Sequence, residues 1–339
     1  IKRPAAIAQA FFYMDKKSIF PRSKNRDLMI ERFVSQINAL CKQPATKNFL
    51  LAVSGGIDSC VMMHLFYKSG FHFSVAHCNF QLRGEESEAD QRFVESLANQ
   101  YQAPFHTIRF NTASYSKEKG ISIQMGARDL RYAWFEEQLL QHGYDFIVTG
   151  HNANDDAETM LLNLSRGTGL LGLVGMKAIH NHTLRPLLFA SRKEIVDYAR
   201  DHRLKWSEDS SNASVKYHRN KIRHTIIPAF ESINPAFLET AKETIRKLDQ
   251  TAKVLDFALE VIKKEVWVSL PDRILIDIPK LKAFPAPDLV LFELLRDYGI
   301  SQLDIHEVVQ LLDSQSGKQL HTSTHIITRD RQHLLVTPL

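Results

Sequence analysis

Residues 49–59 constrain this chain more than any other stretch. An apolar run, Phe49 to Val53, passes straight into Ser54-Gly55-Gly56-Ile57-Asp58-Ser59 and then into Cys60 to Tyr67, which reads as an amphipathic helix. An unbroken apolar run of this length reads as a parallel strand buried on both faces. Adjacent glycines allow positive φ and close backbone approach. The helix N-terminus that follows offers unpaired N–H groups and a positive dipole end to an anion, and the hydroxyls of Ser54 and Ser59 add donors. Asp58 sets a carboxylate beside that anion, which makes chemical sense if it holds a metal ion or orients a donor. There is no Lys in the loop and no GxxxxGK[ST], so this is not the usual ATPase P-loop.

The rest of the chain fits an α/β frame. Strands are expected at 49–53, 72–78, 105–110 and 145–149, and helices at 29–41, 59–68, 86–101, 125–141, 154–165 and 192–203. This alternation predicts a doubly wound, Rossmann-like parallel sheet with its ligands at the carboxyl ends of the strands. Polar motifs follow Val53, Ala76 and Thr149, all at such ends. Residues 217–266 read as helices broken at Pro228 and Pro235, followed by helices at 288–298 and 303–312. Residues 319–337 alternate like strands around Arg329-Asp330. The expected division is an N-terminal extension at 1–28 and a catalytic α/β domain at 29–214. A mainly helical domain at 215–315 and the start of a β element at 316–339 complete it.

Composition narrows the function classes. No apolar run is long enough to span a membrane. Three separated cysteines without a CxxC argue for a reducing, cytoplasmic setting and against a structural zinc or a disulfide frame. Ile1 to Leu28 contains no convincing signal-peptide core. A net charge of +5 permits a nucleic-acid partner without demanding one.

Four further constellations carry candidate chemistry. His77, Asn79 and Arg83 end the second strand and can line a nucleotide pocket, although a solvated loop would look the same. Arg128 and Arg131 share a helical face and suit phosphate; a basic face paired with Asp129 or Glu136 is the alternative. His151 closes the fourth strand. Asp155 and Glu158 then project the same way from the next helix. They complement its dipole, or else they hold a cation such as Mg²⁺ or an ammonium group. Arg166 belongs to a polar, glycine-containing exit from that helix. Glu208-Asp209-Ser210-Ser211-Asn212 reads as a turn or cap cluster. It leads into a basic stretch whose Arg219 and Arg223 lie on one face, suited to a nucleic-acid backbone.

SGGIDS at 54–59 resembles the pyrophosphate-binding loop of the N-type ATP pyrophosphatases. With AHCNFQLRG at 76–84, ARDLRYAWF at 127–135, TGHNANDDAETMLLNLSRGTG at 149–169, LRPLL at 184–188, EDSSN at 208–212 and RNKIRHTIIP at 219–228, the chain resembles the tRNA(Ile)-lysidine synthetases. The resemblance implies ATP and Mg²⁺ as cofactors, free L-lysine as co-substrate and an isoleucine tRNA with a CAU anticodon as partner, and it admits a homodimer. It implies adenylation of C2 of the wobble cytidine, then attack by the lysine amine. ATP would be held by Ser54, Gly55, Gly56, Ile57, Asp58, Ser59, His77 and His151, with Mg²⁺ at Asp58. Asp58, Asp155 and Glu158 would be catalytic, and the latter two would bind lysine. Arg83, Arg128, Arg131, Arg166, Arg219 and Arg223 would contact tRNA. Two positions depart from the family pattern: Phe80 replaces a usual His, and Asn154 stands where an Asp is usual. Bacterial members commonly carry a longer C-terminal tRNA-binding region, so that region is expected to be short, truncated or missing from this sequence. A tRNA thiolase would share the loop, but Cys60 and Cys78 lack the arrangement for sulfur relay or a cluster. No attached glutaminase supports an amidotransferase. A non-catalytic RNA-binding module would leave SGGIDS and the acid pair unexplained.

Overall fold

The computed structural model describes residues 24–207, 218–300 and 305–339. The acidic cluster at 208–212 and nearly all of the expected extension at 1–28 lie outside them. The chain divides into two units, Ile1–Ile245 and Arg246–Leu339.

The first unit opens with α1 (Lys24–Leu40), then β1 (Phe49–Ala52), α2 (Ile57–Lys68), β2 (Phe73–Asn79), α3 (Glu85–Gln100) and β3 (Phe105–Arg109). It continues with α4 (Thr112–Lys119), α5 (Ile123–His142), β4 (Phe146–Thr149), α6 (Ala153–Ser165) and α7 (Leu170–Leu173). A short hairpin, β5 (Ile179–His180) and β6 (Thr183–Leu184), and α8 (Arg192–Asp201) follow. The sheet order is β3-β2-β1-β4-β6-β5, parallel except for the β5 edge. β1 and β4 are neighbours in register, Ala52 opposite Thr149. The chain winds outward from β1 through β2 to β3, then returns to β4 on the other side of β1. The carboxyl ends of β1 and β4 therefore flank the topological switch point, where such sheets bind ligands.

Strand pleating explains the unbroken apolar run of β1. Phe49 and Leu51 pack with Phe33 of α1, Val61 and Leu65 of α2, and Ile195 of α8. Leu50 faces the other way, toward Trp134, Phe135 and Leu139 of α5. α2 is not amphipathic as expected. Ile57 and every residue from Ser59 to Phe66 are buried, because the helix is covered on several sides. The sequence reading also lacked α4, which Asn111 caps, and the β5–β6 hairpin, whose strands of two residues are too short for periodicity to reveal.

After α8 come α9 (His218–Lys221), a π-helical turn (Ile222–Ile226), α10 (Ile227–Ile233) and α11 (Phe237–Val266). Pro235 interrupts the helices as expected. Pro228 instead sits at the start of α10, which continues directly from the π-helical turn.

The second unit builds a five-stranded antiparallel sheet in the order β7-β8-β11-β10-β9. Its strands are β7 (Trp267–Ser269), β8 (Ile274–Asp277), β9 (Gln319–His321), β10 (His325–Asp330) and β11 (His333–Pro338). Between them lie α12 (Ile278–Ala283), α13 (Pro287–Leu295) and α14 (Ile305–Leu311). Leu281, Leu291 and Leu295 pack on Ile276, Ile327, Leu334 and Val336. Two of these strands, β7 and β8, fall between the expected helices at 217–266 and 288–298, inside the domain expected to be mainly helical. The β10–β11 turn falls at Arg331-Gln332, with Arg331 at φ 47°, not at Arg329-Asp330. Neither residue carries the Asn-Gly signal that would mark it. Among the described residues, no helix is long and apolar enough to cross a membrane.

Candidate active site

The glycine turn is held by its own atoms. Gly55 takes φ 95°, open to a residue without Cβ. Ser54 Oγ accepts from Gly56 N–H at 3.3 Å, and Ser59 Oγ donates to Gly56 O at 2.8 Å. Gly55 O accepts from Ser207 N–H at 2.9 Å and from Cys60 Sγ at 3.2 Å. The first intrahelical bond is Cys60 N–H to Gly56 O, so the N–H groups of Ile57, Asp58 and Ser59 precede the helical ladder. Gly150, at the end of β4, presses against this helix start. A Cβ there would lie 3.2 Å from both Asp58 C and Ser59 N. That contact is why the strand must end in glycine.

The loop joins the α6 start through one side chain. Asn152 Oδ1 caps α6 by accepting from Asn154 N–H and Asp155 N–H at 2.9 and 3.2 Å. Its amide donates to Asp58 Oδ1 at 3.0 Å. Asp155 Oδ2 completes a capping box by accepting Asn152 N–H at 3.0 Å. The other oxygen of Asp58 receives the Arg192 guanidinium, from the start of α8.

Asp155 and Glu158 face the same side, and two guanidiniums neutralise them. Arg219 Nε donates to Glu158 Oε2 at 2.8 Å. Arg223 reaches both Glu158 oxygens, Nε at 2.6 Å and Nη2 at 3.0 Å. Each also approaches Asp155 Oδ1, at 3.2 Å for Arg223 and 3.4 Å for Arg219. The Glu158 side chain is 1% exposed, whereas Arg219 and Arg223 are 39% and 38% exposed. Burial raises the proton affinity of Asp155, against the pull of Arg219. The cations that meet this acid pair here are two arginines of the chain itself.

The two histidines flank the loop. His77 is buried and its Nδ1 donates to Val53 O at 2.9 Å; burial lowers its proton affinity. His151 hydrogen-bonds Thr149 Oγ1 at 2.9 Å through Nδ1. Its pKa is pushed down to about 3, first by burial and then by Arg185, Arg219, Arg131 and Arg128. The arginines of α5 and of the α9 region therefore share one electrostatic field at the end of β4. Arg131 stacks on the Phe80 ring at 5.1 Å, and Phe80 stacks on Phe110. The departure at Phe80 thus supplies an aromatic platform for a guanidinium. Arg128 lies over Tyr132 at 4.9 Å.

Of the two remaining expected tRNA contacts, Arg83 joins the glycine turn through Asp90 and Ser207, and Arg166 stands apart. Arg83 pairs with Asp90 at 2.7 Å, and Asp90 also binds Ser207 Oγ at 2.5 Å. Exposed Arg166 caps the far end of α6, roughly 16 Å along the axis from Asp155. Sequence reading gave no role to Asn152, Arg185 or Arg192. A capping box at Ser191–Glu194 marked the start of Arg192's helix, but nothing local signalled its reach to Asp58. Asp156 also escaped notice. It is buried, accepts Met176 N–H at 2.5 Å, and has its pKa raised to about 6, chiefly by burial.

A glycine turn and helix start at the switch point of a parallel sheet define a PP-loop nucleotide-binding domain, and residues 29–230 match the family described as PP-loop domain. Residues 270–339 match the TilS substrate binding domain. With both matches in one chain, and the relatives below, this protein belongs to the tRNA(Ile)-lysidine synthase family. The synthase of Parabacteroides distasonis is 39% identical over 290 residues, covering 86% of this chain and 66% of its own length. That of Porphyromonas gingivalis is 40% identical over 291 residues, 86% of this chain and 63% of the relative. That of Chlorobaculum tepidum is 36% identical over 284 residues, 80% and 85%. The chain thus spans just under two thirds of the length of the first two relatives. A solved U34-tRNA thiolase, NcsA from Methanococcus maripaludis, shares the fold with TM-score 0.54 at 17% identity, over 69% of this chain and 84% of that one.

Proposed function

We propose that this chain uses ATP to join the side-chain amine of free lysine to C2 of the wobble cytidine in an isoleucine tRNA with a CAU anticodon. The observation that carries the reading is the junction at Asn152. One side chain ties an anion-binding helix start to an acid pair on the next strand–helix connection. Family membership and the names of the relatives support the same substrates.

In the first half-reaction the C2 carbonyl oxygen attacks the α-phosphorus of ATP, and the bond to the β-phosphate oxygen breaks. Backbone N–H groups at Ile57 to Ser59 and the hydroxyls of Ser54 and Ser59 receive the charge of the departing pyrophosphate. The Asp58 carboxylate is 28% exposed at the mouth of the turn. One carboxylate with phosphate oxygens and water is a donor set that suits Mg²⁺, and Asp58 would hold it. The ion would supply charge neutralisation beside the phosphates. Among the described residues no cluster of three or more His, Cys, Asp or Glu is built to hold a metal alone.

In the second half-reaction the lysine amine attacks C2, the C2–O bond breaks and AMP leaves. Asp155 and Glu158 receive the ammonium group of lysine, and Asp155, whose proton affinity burial raises, takes the proton shed on attack. Arg219 and Arg223 exchange part of their hold on these acids for the lysine carboxylate or the tRNA backbone. Arg83, Arg128, Arg131 and Arg166 serve the remaining backbone contacts. The setting is cytoplasmic, and the reading admits a homodimer, which sedimentation checks.

The test supplies the minor isoleucine tRNA, ATP, Mg²⁺ and labelled lysine, and maps the label. Lysine at the wobble cytidine is the expected result. ATP–pyrophosphate exchange without lysine incorporation would overturn the assignment of substrates.

A further inference from the structure

We propose that Arg192 is a phosphate-binding residue, and that it turns from Asp58 to the pyrophosphate moiety of ATP when the nucleotide enters. The inference rests on the ATP-dependent reading above and names a residue that reading does not use.

The charge balance of the loop is the starting point. Residues 54–59 contain one ionisable side chain, and it is the acid Asp58. A helix start with a carboxylate in its first turn is poorly matched to a polyphosphate unless a cation stands beside it. The cation that touches Asp58 is Arg192, through Nη1 and Asp58 Oδ2. It comes from α8, which is distant in sequence, so no local motif announces it.

The backbone of Arg192 is anchored while its side chain, apart from the pairing with Asp58, is open to solvent. Ser191 and Glu194 form a capping box at the start of α8. Glu194 is clamped by Arg32 at 2.5 Å, and Arg32 also donates to Phe189 O at 3.0 Å. The Arg192 N–H donates to Asn154 Oδ1 at 2.8 Å. Asn154 is the position where the family pattern has Asp, and here its amide oxygen fastens α8 to α6. Beyond this fixed Cα the Arg192 side chain is 45% exposed. A guanidinium on a long stem, held at its base, can pass from a carboxylate to phosphate oxygens with the same fork geometry. Asp58 is thereby released at the moment the phosphates arrive.

Calorimetric titration tests this directly, with inorganic pyrophosphate and with a non-hydrolysable ATP analogue, each with and without Mg²⁺. Arg192→Gln should weaken pyrophosphate binding on the order of 10-fold or more. Arg192→Lys should recover part of it, because a point charge replaces a fork. Binding of tRNA should be unchanged in both variants. Unchanged or tighter pyrophosphate binding by Arg192→Gln would overturn the proposal and leave Arg192 as a counter-ion to Asp58. Equal loss in both variants with a lowered melting temperature would make it a structural clamp and also overturn it. If the unsubstituted chain binds neither ligand, it is the ATP-dependent reading that fails.

Discussion

Replacing Glu158 by Gln and Arg223 by Gln, singly and together, measures how firmly the acid pair is closed. Arg223 makes two hydrogen bonds to Glu158, at 2.6 and 3.0 Å, and Glu158 is 1% exposed at its side chain. A charge-assisted bond is worth about 1.5–3 kcal/mol when well shielded. Arg223 is 38% exposed, so solvent screening lowers the coupling to about 1–2 kcal/mol. Each single change should cost more than this coupling alone, about 2–3 kcal/mol, since it strands a partner that is partly or wholly buried. The double variant should then fall short of the sum by the coupling energy. Hydrogen exchange on α6 peptides, followed by mass spectrometry, reads this locally and avoids assuming that both units unfold together. The same four proteins should be assayed for lysine dependence, where Glu158→Gln raises the lysine requirement and leaves that for ATP nearly unchanged. Additive losses, with coupling below about 0.5 kcal/mol, would refute the closed cluster.

Three further outcomes are expected. The raised pKa of Asp156, about 6 against an ordinary 3.8, means that the folded protein binds this proton more tightly than the unfolded chain. Its stabilisation is complete below 3.8 and lost as pH rises through about 6, a swing of up to about 3 kcal/mol. Asp156→Asn should therefore gain on the parent protein between pH 4 and pH 7 in urea titrations; parallel pH curves would exclude the effect. Gly150→Ala should cost about 1–3 kcal/mol in stability and weaken ATP binding, because the added methyl meets the backbone of α2 at 3.2 Å, inside ordinary van der Waals contact. Full ATP affinity in that variant would show the contact to be slack. Arg131→Ala should reduce the log–log salt slope of tRNA binding by roughly 0.7–0.9, with Phe80→Ala giving a smaller change in the same direction. An unchanged slope would remove Arg131 from the tRNA surface.

The parts legible in the sequence were those that depend on short-range pattern. β1, β2, β3 and β4 each fall within a residue or two of expectation, and the unbroken apolar run of buried β1 is the plainest of these signals. The grouping of the 54–59 loop with Asp155 and Glu158 was legible because strand ends converge at a switch point. What pattern could not supply was pairing across distance. Arg219 and Arg223 read as a basic face, and only the tertiary fold shows them closed upon Glu158. Arg192 lies 134 residues from Asp58, with no spacing rule to connect them. β7 and β8 were hidden for a different reason. They bear little periodicity of their own and take their place by pairing, β8 with β11 and β7 with β8.

Asn152 imposes a constraint on how this site can diverge. The same amide group caps α6 through its oxygen and steadies Asp58 through its nitrogen. A substitution that retunes the acid pair toward a different amine by shifting α6 would drag on Asp58 and disturb the nucleotide turn. Selection for a new amine can therefore act freely only on side chains that leave the cap of α6 in place, such as those at the Arg219 and Arg223 positions. On the proposed reading the two half-reactions share a hinge pin, and altered amine specificity should arise from the wall of the pocket and not from its frame.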